Sequence, residues 1–258
     1  MSKTSESTAA PIALITGGSR GLGKSMALHL ADRGVDVMLT YHTQEAEARD
    51  VAASIEAKGR KAAVLQLDVG KAGGFAAFAA EVKSVLGRVW RRERFDCLVN
   101  NAGSGGAAPF ADTTEEQFDA LLNVHVKATF FLSQQLLALI ADGGRILNVS
   151  TGLTRYTVPG LSAYALMKGG IEVLTRYMAA ELGPRGISVN VIAPGGIETD
   201  FGGGVMRDAE LQKAVIAETS LGRIGVPDDI GGVVASLLSP ETRWLTGQRI
   251  EVTGGYKL

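Results

Sequence analysis

The chain has 258 residues and a formal net charge of −1, with 46% hydrophobic and 21% charged residues. This composition is typical of one globular domain with a large core, and the near-neutral charge argues against a nucleic-acid partner. The single cysteine, Cys97, excludes an intrachain disulfide, and no apolar run reaches the ~20 residues of a membrane span, so we expect a cytoplasmic protein without a membrane partner.

Short runs of branched apolar residues alternate along the chain with longer amphipathic stretches. The short runs predict strands at residues 12–16, 35–40, 63–67, 97–99, 145–149, 188–192 and 249–252. The longer stretches predict helices at residues 21–33, 45–58, 75–92, 115–140, 163–182 and 228–238. This alternation predicts a single-domain α/β fold, with a Rossmann-type, doubly wound parallel sheet of about seven strands and helices on both faces.

Two segments depart from this alternation. Residues 1–10 are polar and predict a disordered N-terminal tail, which leaves residues 11–258 as one domain. Residues 195–214 are rich in glycine and show no clear strand pattern. They predict a long mobile loop with a short helix, which would be a candidate substrate lid.

A glycine-rich segment follows the first predicted strand and opens the first predicted helix. Its residues are Thr16, Gly17, Gly18, Ser19, Arg20, Gly21, Leu22 and Gly23. Glycines let the backbone approach a pyrophosphate closely, and a helix N-terminus favours an anion through its free N–H groups and dipole. The position at the carboxyl end of a parallel strand favours dinucleotide binding over the alternative, a tight turn that binds nothing.

The end of the second predicted strand bears on which dinucleotide binds. An NAD-selective site usually carries a carboxylate there, but this strand ends at Tyr41, His42 and Thr43. Arg20, inside the glycine-rich segment, can offer a charged fork to a 2′-phosphate. These residues predict NADP(H). The alternatives are that Arg20 is a solvated surface arginine and His42 an exposed loop histidine.

Tyr164 and Lys168 are four residues apart on a predicted helix, so both lie on one face. A lysine cation close to a phenol favours the phenolate, so we expect the pKa of Tyr164 to fall toward neutrality. Such a tyrosine can exchange a proton with a carbonyl or alcohol oxygen. Taken alone, the pair is a very weak signal, because most pairs with this spacing are surface side chains without a catalytic role.

Together these motifs resemble the short-chain dehydrogenase/reductase family, from Ile12 to Gly255, and within it the 3-oxoacyl-carrier-protein-reductase-like group. Beyond the glycine-rich segment, Tyr164 and Lys168, the matching residues are Asp68, Val69, Asn100, Asn101, Ala102, Gly103, Pro194, Gly195, Thr246, Gly247, Gln248, Gly254 and Gly255. The resemblance implies an NADP-dependent oxidoreductase that exchanges a hydride between NADPH and the carbonyl or secondary alcohol of a small or medium-sized substrate. It also implies a homotetramer.

The same resemblance assigns roles to single residues. Tyr164 would be the general acid/base, and Lys168 would hold the nicotinamide ribose and lower the pKa of the tyrosine. Asp68 and Val69 would hold the adenine of the cofactor, and Ile197 and Thr199 would contact its carboxamide. The adenosine ribose side would be lined by Asn100, Asn101, Ala102 and Gly103. Pro194 and Gly195 follow the sixth strand.

Two positions depart from the family pattern. Thirteen residues before Tyr164, where the family has a substrate-orienting serine, stands Thr151, which keeps a hydroxyl but adds a stiff methyl group. His125 occupies the place of an asparagine whose main-chain carbonyl holds a water connected to the lysine. Burial beside Lys168 would lower the pKa of His125, and the neutral imidazole could then relay a proton. The alternative is a histidine that only packs in the helix.

Other functions remain as alternatives. A catalytically impaired, nucleotide-binding regulatory protein would have the same fold, with chemistry lost at Thr151 and His125. A racemase or epimerase on this fold is a further alternative, but no residue in the sequence distinguishes it from a reductase. The three histidines have no metal-ligand spacing with Cys97, so no metal is expected. A G-x-S-x-G elbow is absent, which leaves a serine hydrolase unsupported.

Overall fold

The computed structural model of the protein describes residues 10–258. The tail predicted over residues 1–10 therefore lies outside the described residues, apart from Ala10. The strands are β1 Ile12–Ile15, β2 Asp36–Tyr41, β3 Ala62–Gln66, β4 Phe95–Asn100, β5 Ile140–Val149, β6 Ser188–Pro194 and β7 Arg249–Val252. They form one parallel sheet in the order β3-β2-β1-β4-β5-β6-β7, which confirms the predicted fold class.

Helices cover both faces of this sheet. They are α1 Gly21–Asp32, α2 Glu45–Ala57, α3 Phe75–Val85, α4 Glu115–Leu121, α5 Ser133–Leu136, α6 Ser162–Leu182, α7 Phe201–Gly204, α8 Ala209–Ala217 and α9 Pro227–Leu237. On one face the core is built by α1, α2 and α9, and on the other by α3, α5 and α6. All four side chains of β1 are fully buried, because both faces of this central strand are covered.

The long helix predicted over residues 115–140 is not regular. Between α4 and α5 the chain follows a π-helix, Leu122–Leu132, and a short 3₁₀ turn, Leu137–Leu139, leads into β5. Apolar periodicity predicts that a segment is helical, but it does not report which hydrogen-bonding pattern the backbone adopts. Wide turns of this kind are frequent at functional sites, and this one carries His125.

The predicted lid over residues 195–214 is more ordered than a long loop. After β6 it forms α7, in which Gly202 and Gly203 have left-handed backbone conformations, then a 3₁₀ turn, Val205–Arg207, and the start of α8. Asp208 caps α8 by accepting a hydrogen bond from the Leu211 N–H, which explains where this helix begins. No helix in residues 10–258 has the length and apolarity needed to cross a bilayer.

Candidate active site

The glycine-rich segment forms a cradle between β1 and α1. Gly17 and Gly21 have φ angles of +67° and +54°, a region that favours glycine. A Cβ atom on Gly23 would lie 2.1 Å from the Gly17 carbonyl oxygen, so α1 can start this close to the loop only because residue 23 has no side chain. The spacing of the motif is therefore a packing requirement as well as a binding one.

The N-terminus of α1 is open to an anion. Its first turn contains no acidic residue, and Arg20, which precedes it, makes no capping hydrogen bond through its side chain. The backbone N–H groups of the first turn therefore lack the usual side-chain cap, and the helix dipole adds positive potential. This arrangement fits the pyrophosphate of a dinucleotide, as the sequence predicts.

Asn101 braces the cradle, a role that the sequence motif alone did not reveal. Its side-chain amide donates hydrogen bonds to the carbonyl oxygens of Thr16, at 2.8 Å, and Gly17, at 3.1 Å. The Thr16 hydroxyl oxygen accepts hydrogen bonds from the backbone N–H groups of Asn101, at 3.0 Å, and Ala102, at 2.9 Å. The segment after β4 is thereby fixed against the glycine-rich loop.

Asn100 has its side chain elsewhere. Its amide nitrogen donates to Ser133 Oγ, at 3.0 Å, and to Asn148 Oδ1, at 2.8 Å, inside the core. These bonds tie β4 to β5 and α5 and use the amide nitrogen of Asn100. The cofactor contact of Asn100 stays a prediction. Gly103, three residues on, lies against the ring of His125.

The residues expected at the adenosine end lie together where β2 and β3 end. His42 Nε2 is 3.6 Å from Asp68 Oδ2. The side chain of Arg20 is exposed. Burial acts to raise the pKa of Asp68, but hydrogen bonds from Lys71 and the Gly70 N–H outweigh it and hold the pKa below its ordinary value. Tyr41, Thr43 and Val69 flank this pair in the sequence, and their cofactor contacts stay predictions.

The residues expected at the nicotinamide end follow β6. Pro194 ends the strand, and a Cβ atom on Gly195 would lie 2.9 Å from Thr253 Cα. Ile197 is buried and pairs with Gly225 in an isolated bridge. The Thr199 methyl group lies 3.7 Å from the position that a Cβ atom on Gly21 would occupy, so this segment reaches the cradle.

Tyr164, Lys168 and Thr151 come together beside the cradle, each less than a tenth exposed. Tyr164 and Lys168 both lie on α6, and the Lys168 ammonium is 5.8 Å from the centre of the Tyr164 ring. This ammonium donates a hydrogen bond of 2.8 Å to the Val149 carbonyl oxygen at the end of β5. The strand end and the helix therefore fix the cation in place.

The electrostatics of this cluster correct one expectation. Burial raises the pKa of Tyr164 above its ordinary value, and the neighbouring Thr151 hydroxyl offsets only part of that effect. Burial also lowers the pKa of Lys168 to about 8. Burial therefore sets the direction of the Tyr164 shift, so the predicted fall of the tyrosine pKa toward neutrality is wrong for this structure.

His125 packs edge-on against Tyr164, with the ring centres 5.3 Å apart. The pKa of His125 is lowered to about 3, mainly by burial and to a smaller extent by the charge of Lys168. This confirms the predicted direction of the shift and both of its causes. Its Nε2 is 2.9 Å from the Ser104 carbonyl oxygen, so in the neutral ring this nitrogen carries the proton and donates it. Its main-chain carbonyl accepts a hydrogen bond from Thr129 Oγ1 at 2.7 Å.

A family model described as enoyl-(acyl carrier protein) reductase matches residues 17–257, which include the cradle from Gly17 onward, Thr151, Tyr164 and Lys168. The chain belongs to the short-chain dehydrogenase/reductase family. Among curated relatives of this short-chain dehydrogenase/reductase, the hydroxynaphthalene reductase-like protein Arp2 of Metarhizium brunneum is 35% identical over 98% of this chain and 97% of its own.

Solved structures of related reductases agree over nearly the whole chain. The promiscuous reductase LugOII, which catalyses keto-reduction at C1 during lugdunomycin biosynthesis, is 37% identical with a TM-score of 0.91, covering 98% of this chain and 100% of its own. The angucycline C-6 ketoreductase LanV with bound NADP is 35% identical with a TM-score of 0.91, covering 96% and 95%. Within residues 10–258, no cluster of three or more His, Cys, Asp or Glu side chains is arranged to hold a metal ion.

Proposed function

We propose that this protein is an NADP-dependent carbonyl reductase, which in reverse oxidises a secondary alcohol. The observation that carries the proposal is the convergence of the Tyr164 phenol, the Thr151 hydroxyl and the Lys168 ammonium beside a glycine cradle. NADP bound to the similar ketoreductase LanV supports the choice of cofactor. The relatives described above are named for keto-reduction or hydroxynaphthalene reduction rather than for 3-oxoacyl chains, so we propose a ketone of small or medium size.

When bound, NADPH would supply a hydride, which carries the two electrons and the hydrogen that become bonded to the carbonyl carbon. The backbone N–H groups at the start of α1 would hold its pyrophosphate. Thr151 Oγ1 donates a hydrogen bond to the substrate oxygen and orients it. Tyr164 then donates its phenolic proton to the same oxygen. Lys168 holds the nicotinamide ribose and favours the phenolate that remains.

The pKa shifts are compatible with this division of roles. Because burial raises the pKa of Tyr164, the phenol is protonated at neutral pH and is ready to act as the acid in ketone reduction. Because the pKa of Lys168 is about 8, most of the lysine is charged at neutral pH. A cation that close to the phenol lowers the free energy of the phenolate at the moment of proton transfer.

The alternative of a catalytically impaired regulatory protein lacks a supporting observation. Thr151 keeps a hydroxyl next to Tyr164, and the acid and the cation are both present. His125 keeps the main-chain carbonyl group to which the resemblance assigns a role, and this carbonyl accepts a hydrogen bond from Thr129. The substitutions at these two positions therefore leave the proposed chemistry intact. A proton relay through the His125 imidazole stays part of the proposal.

The assembly and the compartment belong to the same proposal. The π-helix and α6 expose a set of large apolar side chains, at Phe130, Phe131, Leu166, Val173 and Tyr177. Helical faces of this kind are commonly buried between subunits, and we propose a homotetramer in which this face is one interface. We also propose a cytoplasmic location, consistent with the lone cysteine.

The test follows NADPH oxidation by absorbance with a panel of ketones, diketones, β-keto esters and fused-ring aromatic ketones. Wild-type protein should turn over at least one class. Tyr164→Phe should lose about 10²–10⁴ in rate while binding NADPH nearly as well, because it removes one proton-carrying oxygen and little volume. If Tyr164→Phe keeps about a tenth of the wild-type rate or more, Tyr164 is not the acid.

A further inference from the structure

Glu172 lies on α6 one turn beyond Lys168, and its carboxylate is bonded to the segment that carries Thr151. Glu172 Oε1 accepts hydrogen bonds from Ser150 Oγ, at 2.7 Å, and from Thr154 Oγ1, at 2.7 Å. Ser150 and Thr154 lie on either side of Thr151 in the chain. A single carboxylate oxygen on α6 therefore holds both ends of the segment that presents the Thr151 hydroxyl.

Arg249 of β7 completes the network. Its Nε donates to Glu172 Oε1 at 2.8 Å, and its Nη2 donates to Thr154 Oγ1 at 3.1 Å. Its Nη1 also donates to Glu251 Oε2 at 2.8 Å. The Glu172 side chain is only 14% exposed, so its charge is balanced by a partner rather than by water.

The other restraints on Thr151 are weak. Its hydroxyl oxygen accepts a long hydrogen bond of 3.4 Å from the Leu153 N–H, within its own turn. Its carbonyl oxygen accepts one from Arg249 Nη2 at 3.4 Å. It also lies 3.0 Å from Thr154 Oγ1, but the single proton of that hydroxyl is shared with the nearer Glu172 Oε1. The side-chain contacts of this segment thus lead mainly to Thr154 and Arg249, which are both bonded to Glu172. Its backbone is held at the start, where the Ser150 N–H donates to the Ile192 carbonyl oxygen at 2.7 Å.

Tyr164, Lys168 and Glu172 follow one another at spacings of four residues, so they share one face of α6. We propose that Glu172 is a positioning residue for carbonyl reduction: it fixes the Thr151 hydroxyl relative to the Tyr164 phenol by anchoring Ser150 and Thr154. This inference rests on the proposed function. Through Glu172, the helix that carries the acid and the cation also sets the place of the substrate-orienting hydroxyl.

The first test compares substitutions at Glu172. Glu172→Leu should lower kcat by about 10²-fold, the scale expected for a reacting group displaced by about 1 Å, and leave the affinity for NADPH unchanged. Glu172→Gln should recover most of the rate, because its amide oxygen still accepts from Ser150 and Thr154. Glu181→Gln, on the exposed side of the same helix, is the matched control and should behave as wild type. NADPH affinity comes from fluorescence titration of the full-length protein.

The second test asks whether Glu172 acts through Thr151. In a Thr151→Val background the substrate-orienting hydroxyl is gone, so adding Glu172→Leu should lower kcat little further. If the two losses multiply, Glu172 contributes to overall structure rather than to the position of Thr151, and the inference fails. Thr154→Val removes one anchor without leaving a buried charge, and should lower kcat in the same direction even if Glu172→Leu does not fold.

The outcomes separate this inference from the proposed function. Full turnover in both Glu172→Leu and Thr154→Val, with turnover lost in Tyr164→Phe, would overturn the role of Glu172 and leave carbonyl reduction in place. Turnover that survives Tyr164→Phe would overturn the proposed chemistry itself. A loss of NADPH affinity in Glu172→Leu equal to its loss of kcat would also count against a role confined to Thr151.

Discussion

His125 shows how one buried side chain can link the site to the stability of the fold. The ring is 2% exposed, packs against Tyr164 and donates from Nε2 to the Ser104 carbonyl oxygen. Its Nδ1 is buried and has no hydrogen-bond partner within the described part of the chain. Protonation of Nδ1 would place a cation in the core close to Lys168, which is why the pKa of His125 falls to about 3.

This shift predicts that the protein loses stability in acid. The folded-state pKa of about 3 lies below the unfolded value of 6.5, so between these values the unfolded chain binds a proton that the folded chain does not. The part of the free energy of unfolding that is linked to His125 is fully present above about pH 6.5 and is lost as the pH falls toward about 3. The loss is on the order of a few kcal/mol. His125→Asn should lack this part of the acid sensitivity.

Denaturant unfolding at neutral pH and at about pH 4.5 measures the difference. The exposed His42 gives a matched control, since His42→Asn should keep the acid sensitivity of the wild type. The same pH dependence in wild type and His125→Asn would mean that the histidine is hydrated or already protonated in the folded protein.

Among the elements, the junction of β1 and α1 has the tightest packing tolerance in the site. An added Cβ atom on Gly23 would lie 2.1 Å from the Gly17 carbonyl oxygen and 2.7 Å from Asn101 Nδ2. Gly23→Ala should therefore push α1 away from the cradle, lower Tm and remove most of the affinity for NADPH. Gly87→Ala, where nothing lies within 4 Å of the new atom, is the control and should change neither quantity. Differential scanning calorimetry and fluorescence titration provide the two readouts.

Arg20 precedes α1 with an exposed side chain, and β2 ends without a carboxylate at Tyr41. An exposed guanidinium that can turn toward a 2′-phosphate should favour NADPH over NADH. Arg20→Ala should weaken NADPH binding far more than NADH binding, because only NADPH carries that phosphate. Titrations with both cofactors check this. An equal loss for the two would assign the phosphate to other residues, such as His42.

Much of the fold could be predicted because its signals are local. Each strand run and each amphipathic stretch lies in one piece of chain, and the motifs after β1, β4 and β6 follow strand ends that meet at one edge of the sheet. The wide turns between α4 and α5 could not be predicted in this way. Apolar spacing tolerates both hydrogen-bonding patterns over Leu122–Leu132.

The missed site residues depend on partners that are distant in the sequence. Asn101 braces Thr16 across 85 positions, and Glu172 is bonded to Arg249 across 77. The direction of the Tyr164 pKa shift was missed for a related reason. Spacing shows that a lysine lies nearby, but only the folded structure shows that Tyr164 is buried and that burial raises its pKa.

At the scale of the whole molecule, the sheet order explains where the site lies. The chain runs outward from β1 to β3, then returns to β4 on the other side of β1 and continues to β7. The loops after β1 and β4 therefore diverge and leave a crevice, and the cradle and Asn101 lie in it. The helix α6, which carries Tyr164 and Lys168, packs on β5 and β6, and the π-helix that carries His125 packs beside α6.

Those helices also carry the exposed apolar face of the π-helix and α6. Tyr177 is 65% exposed, and Phe130, Phe131 and Val173 are each more than two fifths exposed. Burial of such side chains between subunits contributes about 25 cal/mol per Å² of apolar surface, so covering this face would favour the proposed assembly. Because the face adjoins α6, assembly would also hold rigid the helix that positions the acid, the lysine and Glu172.

Val173→Asp should therefore break the assembly into smaller species and reduce turnover per chain, because a carboxylate buried without a partner is strongly disfavoured. Light scattering at micromolar concentration gives the mass, which we expect to be that of a tetramer for the wild type. Ala80→Asp, at an exposed position of α3, adds the same charge away from the face and should leave the mass unchanged. A monomeric wild type, or a tetramer that survives Val173→Asp, would exclude this face as an interface and leave α6 supported by the contacts within one chain.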